Sequence, residues 1–102
     1  MKKLKYRSNI AIILEILEFI DSKGMANMTQ ISTYANVSYT ACRSKIEQLV
    51  ETEMIQETRK KDSVRYSLTE KGFDSLRKLR ELTSFLTSFG LIDDEEKSWE
   101  AD

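Results

Sequence analysis

Apolar positions recur along this chain in two different periods, and the change from one to the other marks out its elements. From Ser8 to Lys23 the pattern is helical, with Ile10, Ile13, Leu14 and Leu17 on one stripe and Ile12, Ile16, Phe19 and Ile20 on another. Only Glu15, Glu18 and Ser22 leave a narrow wet side, so this helix is central and buried over most of its circumference. Gly24 closes it in a position that suits a left-handed C-cap. Met25 to Met28 is short and is expected to add a third strand to the sheet that follows. A helix from Thr29, as its N-cap, to Ala35 comes next, then a tight break at Asn36-Val37. A second helix, capped by Ser38, runs to about Glu53. Beyond it the period drops to two: Ile55 to Lys60 and Val64 to Leu68 read as strands, with Val64, Tyr66 and Leu68 alternating with Arg65 and Ser67. Lys61-Asp62-Ser63 is the turn between them. Thr69 caps a last helix with Glu70 in its first turn, where a carboxylate favours the positive end of the dipole. This helix runs to about Phe89 and stops at Gly90. Two short helices joined by a tight turn, with a basic hairpin behind them, make a winged helix-turn-helix, a mainly α (α+β) module that sets one helix into a DNA major groove.

The last helix carries a stripe that drifts. Phe73, Leu76, Leu79, Leu82, Phe85, Leu86 and Phe89 are spaced mostly by three, so at about 100° per residue Phe73 and Leu82 lie on nearly opposite sides. Phe73 and Leu76 are expected to pack on their own domain. Leu82, Phe85, Leu86 and Phe89, with the surplus Ile12, Ile16 and Phe19 of the first helix, are expected to meet a partner subunit in a homodimer, because soluble monomers rarely leave so much apolar surface in water.

Length, 102 residues, allows one small domain. It divides into residues 1–92, a winged-helix DNA-binding domain that includes the dimerisation helix at about 70–89, and an acidic tail, 93–102, expected to be disordered and to carry Trp99. Charge follows the same boundary. The tail holds six acids and one base, so the net charge of -1 conceals a body of fifteen basic and eleven acidic residues, net +4. No run of about 18 apolar residues exists to span a membrane. No small-residue cleavage site follows the lysine-rich start, and the single cysteine, Cys42, suits a reducing compartment. A cytoplasmic, unprocessed protein is expected.

Placement of the charges says more than their sum. On the helix from Ser38, Cys42, Ile46, Leu49 and Val50 face the core, and Tyr39 lies at the border of that stripe. Ser38, Tyr39, Thr40, Arg43, Ser44 and Gln48 are the candidate contacts to bases or phosphates, Arg43 because a guanidinium grips guanine in two places. Glu47 and Glu51 would repel the backbone, so only the first two turns are expected to enter the groove. The bland alternative is a solvated polar face. On the wing, Arg59, Lys60, Lys61 and Arg65 suit phosphates or the minor groove; charge that protects an edge strand is the alternative. Lys2, Lys3, Lys5 and Arg7 are either a phosphate clamp or a disordered arm. Catalytic chemistry is missing from the sequence. With no histidine there is no Ser-His or Cys-His nucleophile and no zinc set, and the three glycines stand singly, so no phosphate loop forms. The protein is expected not to be an enzyme, and no metal, cofactor or small-molecule ligand is inferred.

The strings ANVSYTACRSKIEQLVETEMIQ and RYSLTEKGFDSLRKLREL resemble the small archaeal winged-helix DNA-binding proteins that dimerise through a long C-terminal helix, and more distantly the MarR and PadR regulators. The likeness covers about Arg7 to Phe89, with ANVSY at the turn into the reading helix and YSLTEKG between wing and last helix as its most specific pieces. It implies that the helix from Ser38 reads DNA and that the final helices pair as an antiparallel coiled coil. This chain has a shorter final helix and adds the acidic tail. The function expected is a sequence-specific transcriptional regulator that binds double-stranded DNA as a homodimer. An architectural, chromatin-type DNA binder and a winged-helix protein-interaction module are the alternatives, the second with Glu47, Glu51 and the tail as working surfaces.

Overall fold

The computed structural model describes residues 8–91. The basic arm Lys2 to Arg7 and the acidic segment 93–102 lie outside them. Four helices and one hairpin follow in the order α1 (Asn9–Lys23), α2 (Met28–Ala35), α3 (Tyr39–Glu51), β1 (Ile55–Lys60), β2 (Ser63–Leu68) and α4 (Glu70–Ser88). The strands pair antiparallel from Ile55 opposite Leu68 to Lys60 opposite Ser63. This is the mainly helical winged helix-turn-helix that the pattern predicts.

Each helix starts where a side chain can satisfy its orphan amides. Ser8 accepts from the Ala11 amide at 3.1 Å and Ser38 from the Ala41 amide at 3.1 Å. The second helix begins earlier than expected. Asn27, not Thr29, is its N-cap, because Gln30 three residues on completes a reciprocal box: Asn27 Oδ1 accepts from the Gln30 amide at 2.8 Å, and Gln30 Oε1 accepts from the Asn27 amide at 3.0 Å. Asn27 therefore turns the chain, and the third strand expected at Met25 to Met28 shrinks to one bridge, Ala26 with Tyr66, closed by bonds of 3.0 and 2.8 Å. The hairpin turn is likewise tighter than expected, since Ser63 already pairs and Lys61-Asp62 alone make the corner.

The core joins α1 (Leu14, Ile16, Leu17, Ile20) to Ile31, Cys42, Ile46, Leu49, Ile55, Tyr66, Leu68 and Leu76. Ile16, expected at a subunit contact, is 0% exposed. Phe19 is half-buried because the Tyr34 ring stacks on it at 4.6 Å between centroids, and Ile12 packs against the core. The surplus apolar stripe of α1 is thus consumed inside its own domain. Phe73 departs in the other direction. It was expected in the core and is 52% exposed, because the buried side of α4 is set by Gly72 and Leu76 and Phe73 points off its flank. Further along α4, Leu82, Phe85 and Phe89 are exposed, as expected, with Leu86 half-buried. Arg80 ties α4 back to α1 through Glu18 at 3.3 Å and Asp21 at 3.7 Å, partly exposed pairs worth under about 1 kcal/mol.

α3 ends in a Schellman turn rather than running to Glu53. The Met54 amide bonds Leu49 O at 2.9 Å, the Glu53 amide bonds Val50 O at 3.0 Å, and Glu53 sits at φ 67°. Directly over this turn comes the start of α4. The Thr69 hydroxyl donates to Glu53 O at 2.5 Å and accepts from the Gly72 amide at 3.0 Å, while the Thr69 amide donates to Met54 O at 3.1 Å. A Cβ on Gly72 would collide with the Met54 carbonyl. Gly72→Ala is accordingly expected to destabilise the fold by about 2–3 kcal/mol, since backbone must shift to admit the methyl, whereas Glu53→Gly should stabilise by up to about 1 kcal/mol by relieving the left-handed strain. Urea unfolding followed by circular dichroism measures both, and equal midpoints for the Gly72 variant and the unaltered protein would contradict the first.

Candidate nucleic-acid interface

The turn between α2 and α3 is built from Asn36, at φ 56°, whose amide bonds Ser32 O and Thr33 O. Asparagine tolerates this left-handed region better than most residues. The Val37 amide adds a bond to Ser32 O at 3.2 Å, and Ser38 then caps α3. Three successive residues thus fix the angle at which α3 leaves its neighbour.

α3 buries Cys42, Ile46 and Leu49 and leaves Ser38, Tyr39, Thr40, Arg43, Ser44, Glu47 and Glu51 exposed. Tyr39, expected half in the core, is 55% exposed. Gln48 is set apart from the rest. It lines a largely apolar groove with Ile10, Ile13, Met54, Leu79 and Leu82, on the side of α3 away from the wing.

The wing divides its cations between two faces. Register and the strand period put Arg59 on the same face as Glu57, Val64 and Tyr66, and Lys60 and Arg65 on the opposite one. Lys61, at φ 49°, is at the corner. Tyr66 marks where wing and α3 meet. Its phenol is pushed above the ordinary range, first by burial, then by Glu57 and Tyr39, with Arg59 and Arg43 acting in the opposite sense. Charges of both α3 and β1 thus act on this one side chain of β2. Between them runs a cleft lined by Ile46, Glu47, Val50, Glu51, Glu57 and Tyr66.

Neither Arg43 nor Arg59 is a bare cation. Arg43 Nε lies 3.2 Å from Glu47 Oε2, and Arg59 Nε lies 2.6 Å from Glu57 Oε2. Glu57 was missed as a member of the site. Its signal is its place two residues before Arg59 on one strand face, just as Arg43 and Glu47 carry the i, i+4 spacing of a helical ion pair. Among the described residues no group of three His, Cys, Asp or Glu side chains is placed to hold a metal ion, and no helix is long and apolar enough to cross a membrane.

Residues 6–87 match the winged helix-turn-helix family. The chain belongs to that family. Curated protein sequences yield no match. Solved winged-helix structures similar to this one include Sso10a-2, a DNA-binding protein from Sulfolobus solfataricus, at 20% identity and a TM-score of 0.73 over 81% of this chain and 85% of that one. The transcriptional regulator BldR from Sulfolobus solfataricus is 18% identical over 87% of this chain and 67% of its own, with a TM-score of 0.67. A MarR family transcriptional regulator from Silicibacter pomeroyi is 19% identical with a TM-score of 0.67, over 76% of this chain; this winged-helix chain spans about half of that regulator, 54%. At such identities the likeness is one of fold.

Cys42 belongs to the core of this winged helix and not to its surface. It is fully buried, and burial pushes its thiol above the ordinary value, which lowers the thiolate fraction at any given pH. A thiol-specific reagent at pH 8 is therefore expected to label the unfolded protein rapidly and the native protein only at the rate of unfolding. Labelling of native protein as fast as a free thiol would place Cys42 at the surface.

Proposed function

We propose that this chain is a transcriptional regulator that binds double-stranded DNA in a sequence-specific manner, acts in the cytoplasm as a homodimer, and has no enzymatic activity of its own. The observation that carries the reading is the exposed face of α3, with Tyr39, Thr40, Arg43 and Ser44, set beside the wing across the cleft that Glu47, Glu57 and Tyr66 line. An exposed helix face beside a two-stranded ribbon is the geometry that enters a major groove while the ribbon meets phosphates or the minor groove. In this reading Ser38, Tyr39, Thr40, Arg43 and Ser44 face the DNA, Ser38 by donating the O–H of its capping hydroxyl, and Gln48 stands at the margin. Arg59, Lys60, Lys61 and Arg65 are the wing contacts. Membership of the winged helix-turn-helix family supports this, as do neighbours described as a DNA-binding protein and as transcriptional regulators. The paired arginines favour reading over indiscriminate coating, since an architectural protein gains from unpaired cations.

Assembly follows from α4. Leu82, Phe85 and Phe89 stand exposed beside half-buried Leu86, with the Phe85 and Phe89 rings 4.8 Å apart, and Ile10 adds to the apolar margin. Covering them against a second α4 across a two-fold axis removes this patch from water and sets two reading helices about 34 Å apart, one DNA turn. Ile12 and Phe19 retain at most a marginal part in such a contact, and Ile16 none.

Two experiments test the reading. Selection from a random duplex pool, followed by titration at several salt concentrations, is expected to return one preferred, two-fold symmetric sequence. Lys60→Ala with Lys61→Ala should then weaken binding to every duplex and reduce the salt slope by about 2, one per lost phosphate contact; an unchanged slope removes the wing tip from the interface. Leu82→Glu with Phe85→Glu is expected to convert the dimer to a folded monomer in sedimentation, with affinity for the symmetric site lost. An unaltered protein that sediments as a monomer at micromolar concentration contradicts the homodimer.

A further inference from the structure

The carboxylates on the reading surface have no part in that account, and one of them has a definite geometry. Glu47 lies one helical turn beyond Arg43, and its Oε2 sits 3.2 Å from Arg43 Nε, with both side chains more than three-fifths exposed. Resting on the DNA-binding reading, we infer that Glu47 is a specificity-determining residue that positions Arg43 to read a guanine.

A free arginine on a helix surface is a poor discriminator, because its long side chain swings equally well to a base or to a phosphate. With Glu47 bonded at Nε, the two terminal nitrogens Nη1 and Nη2 are left to donate elsewhere. Two parallel N–H donors match guanine O6 and N7 in the major groove, and no other base offers two acceptors there. Glu47 contributes a second discrimination. Its carboxylate repels phosphates, so a register that puts Arg43 against the backbone also puts Glu47 there, at a cost. The pair thus favours G·C at its position and opposes non-specific binding.

The test uses the full chain and the duplex it selects. Affinities are measured for the unaltered protein, Glu47→Gln, Arg43→Ala and the double variant, on the selected site, on sites with each G·C pair replaced in turn, and on random duplex. Glu47→Gln is expected to bind random duplex several-fold more tightly, since a repelling charge is gone. At the same time its preference for guanine at one position should fall about tenfold, the scale of one bidentate contact. Arg43→Ala should abolish preference at that same position, and the added Glu47→Gln change should then leave preference unaltered there. If Glu47→Gln tightens selected and random duplex by one factor with base preference intact, the carboxylate only repels, and the inference is overturned. Preference kept by Arg43→Ala overturns it too, while leaving DNA binding itself in place. An unaltered protein with no preferred sequence overturns both this inference and the regulator reading.

Discussion

α4 leaves the wing across the end of α3, and the closest backbone approach that any glycine of this chain permits occurs there. Gly72 lies against the Met54 carbonyl so tightly that no side chain fits. The Thr69 hydroxyl joins three segments in one place: it donates to the Glu53 carbonyl in the turn after α3, follows the last residue of β2, and accepts from the Gly72 amide in the first turn of α4. Because β1 and β2 run out from this point and back, their base is held against α3 at a fixed distance. Ile55 and Leu68, paired across the hairpin base, fill the space beneath. Everything on the candidate surface depends on that joint, since it decides how far the wing stands from α3.

Electrostatics on this surface are more balanced than the sequence sum suggests. A body of net +4 describes fifteen basic residues, yet Arg43 and Arg59 are each matched by a glutamate at close range. The other cations of the wing, Lys60, Lys61 and Arg65, belong to its corner and outer face. In the proposed complex, attraction falls to the wing and discrimination to the helix, a division in which neither element needs to do both.

Much of this was legible in the sequence because local rules act over few residues. Ser8, Ser38 and Thr69 announce helix starts, Gly24 and Gly90 announce stops, and alternation at Val64, Tyr66 and Leu68 announces a strand. Asn27 could have been found by the same rule, since Gln30 stands at the spacing of a capping box; Thr29 is an equally good cap type, and only the bonded pair decides between them. Periodicity misled where tertiary packing chose the buried face. Two apolar stripes on α1 look like one too many until the Tyr34 ring covers Phe19 and the core encloses Ile16, and Phe73 looks internal until the tight seat of Gly72 sets the rotation of α4. In the site, the types of residue were readable, but the opposite faces of Arg59 and Arg65 needed the register, and the role of Glu57 needed its distance from Arg59. The acidic segment and the basic arm fall outside the described residues.

The wing is secured toward its root, with Val64 the outermost of its residues packed against the core. Beyond the bridge between Ala26 and Tyr66 the ribbon continues to Lys60 and Ser63 as two strands, and a two-stranded ribbon alone is marginal in water. Opening free energy must therefore rise along the hairpin, from near zero at the corner to the stability of the whole domain at Ile55 and Leu68. The Tyr66 amide is bonded to the Ala26 carbonyl and is expected to exchange only when the core opens, whereas amides near Lys61 should exchange through local fraying. If the surface binds a duplex as proposed, this gradient sorts the work in time: the helix arrives already shaped, while the outer ribbon settles afterwards into whatever groove width it finds, with the entropy of that settling confined to a few residues at the tip.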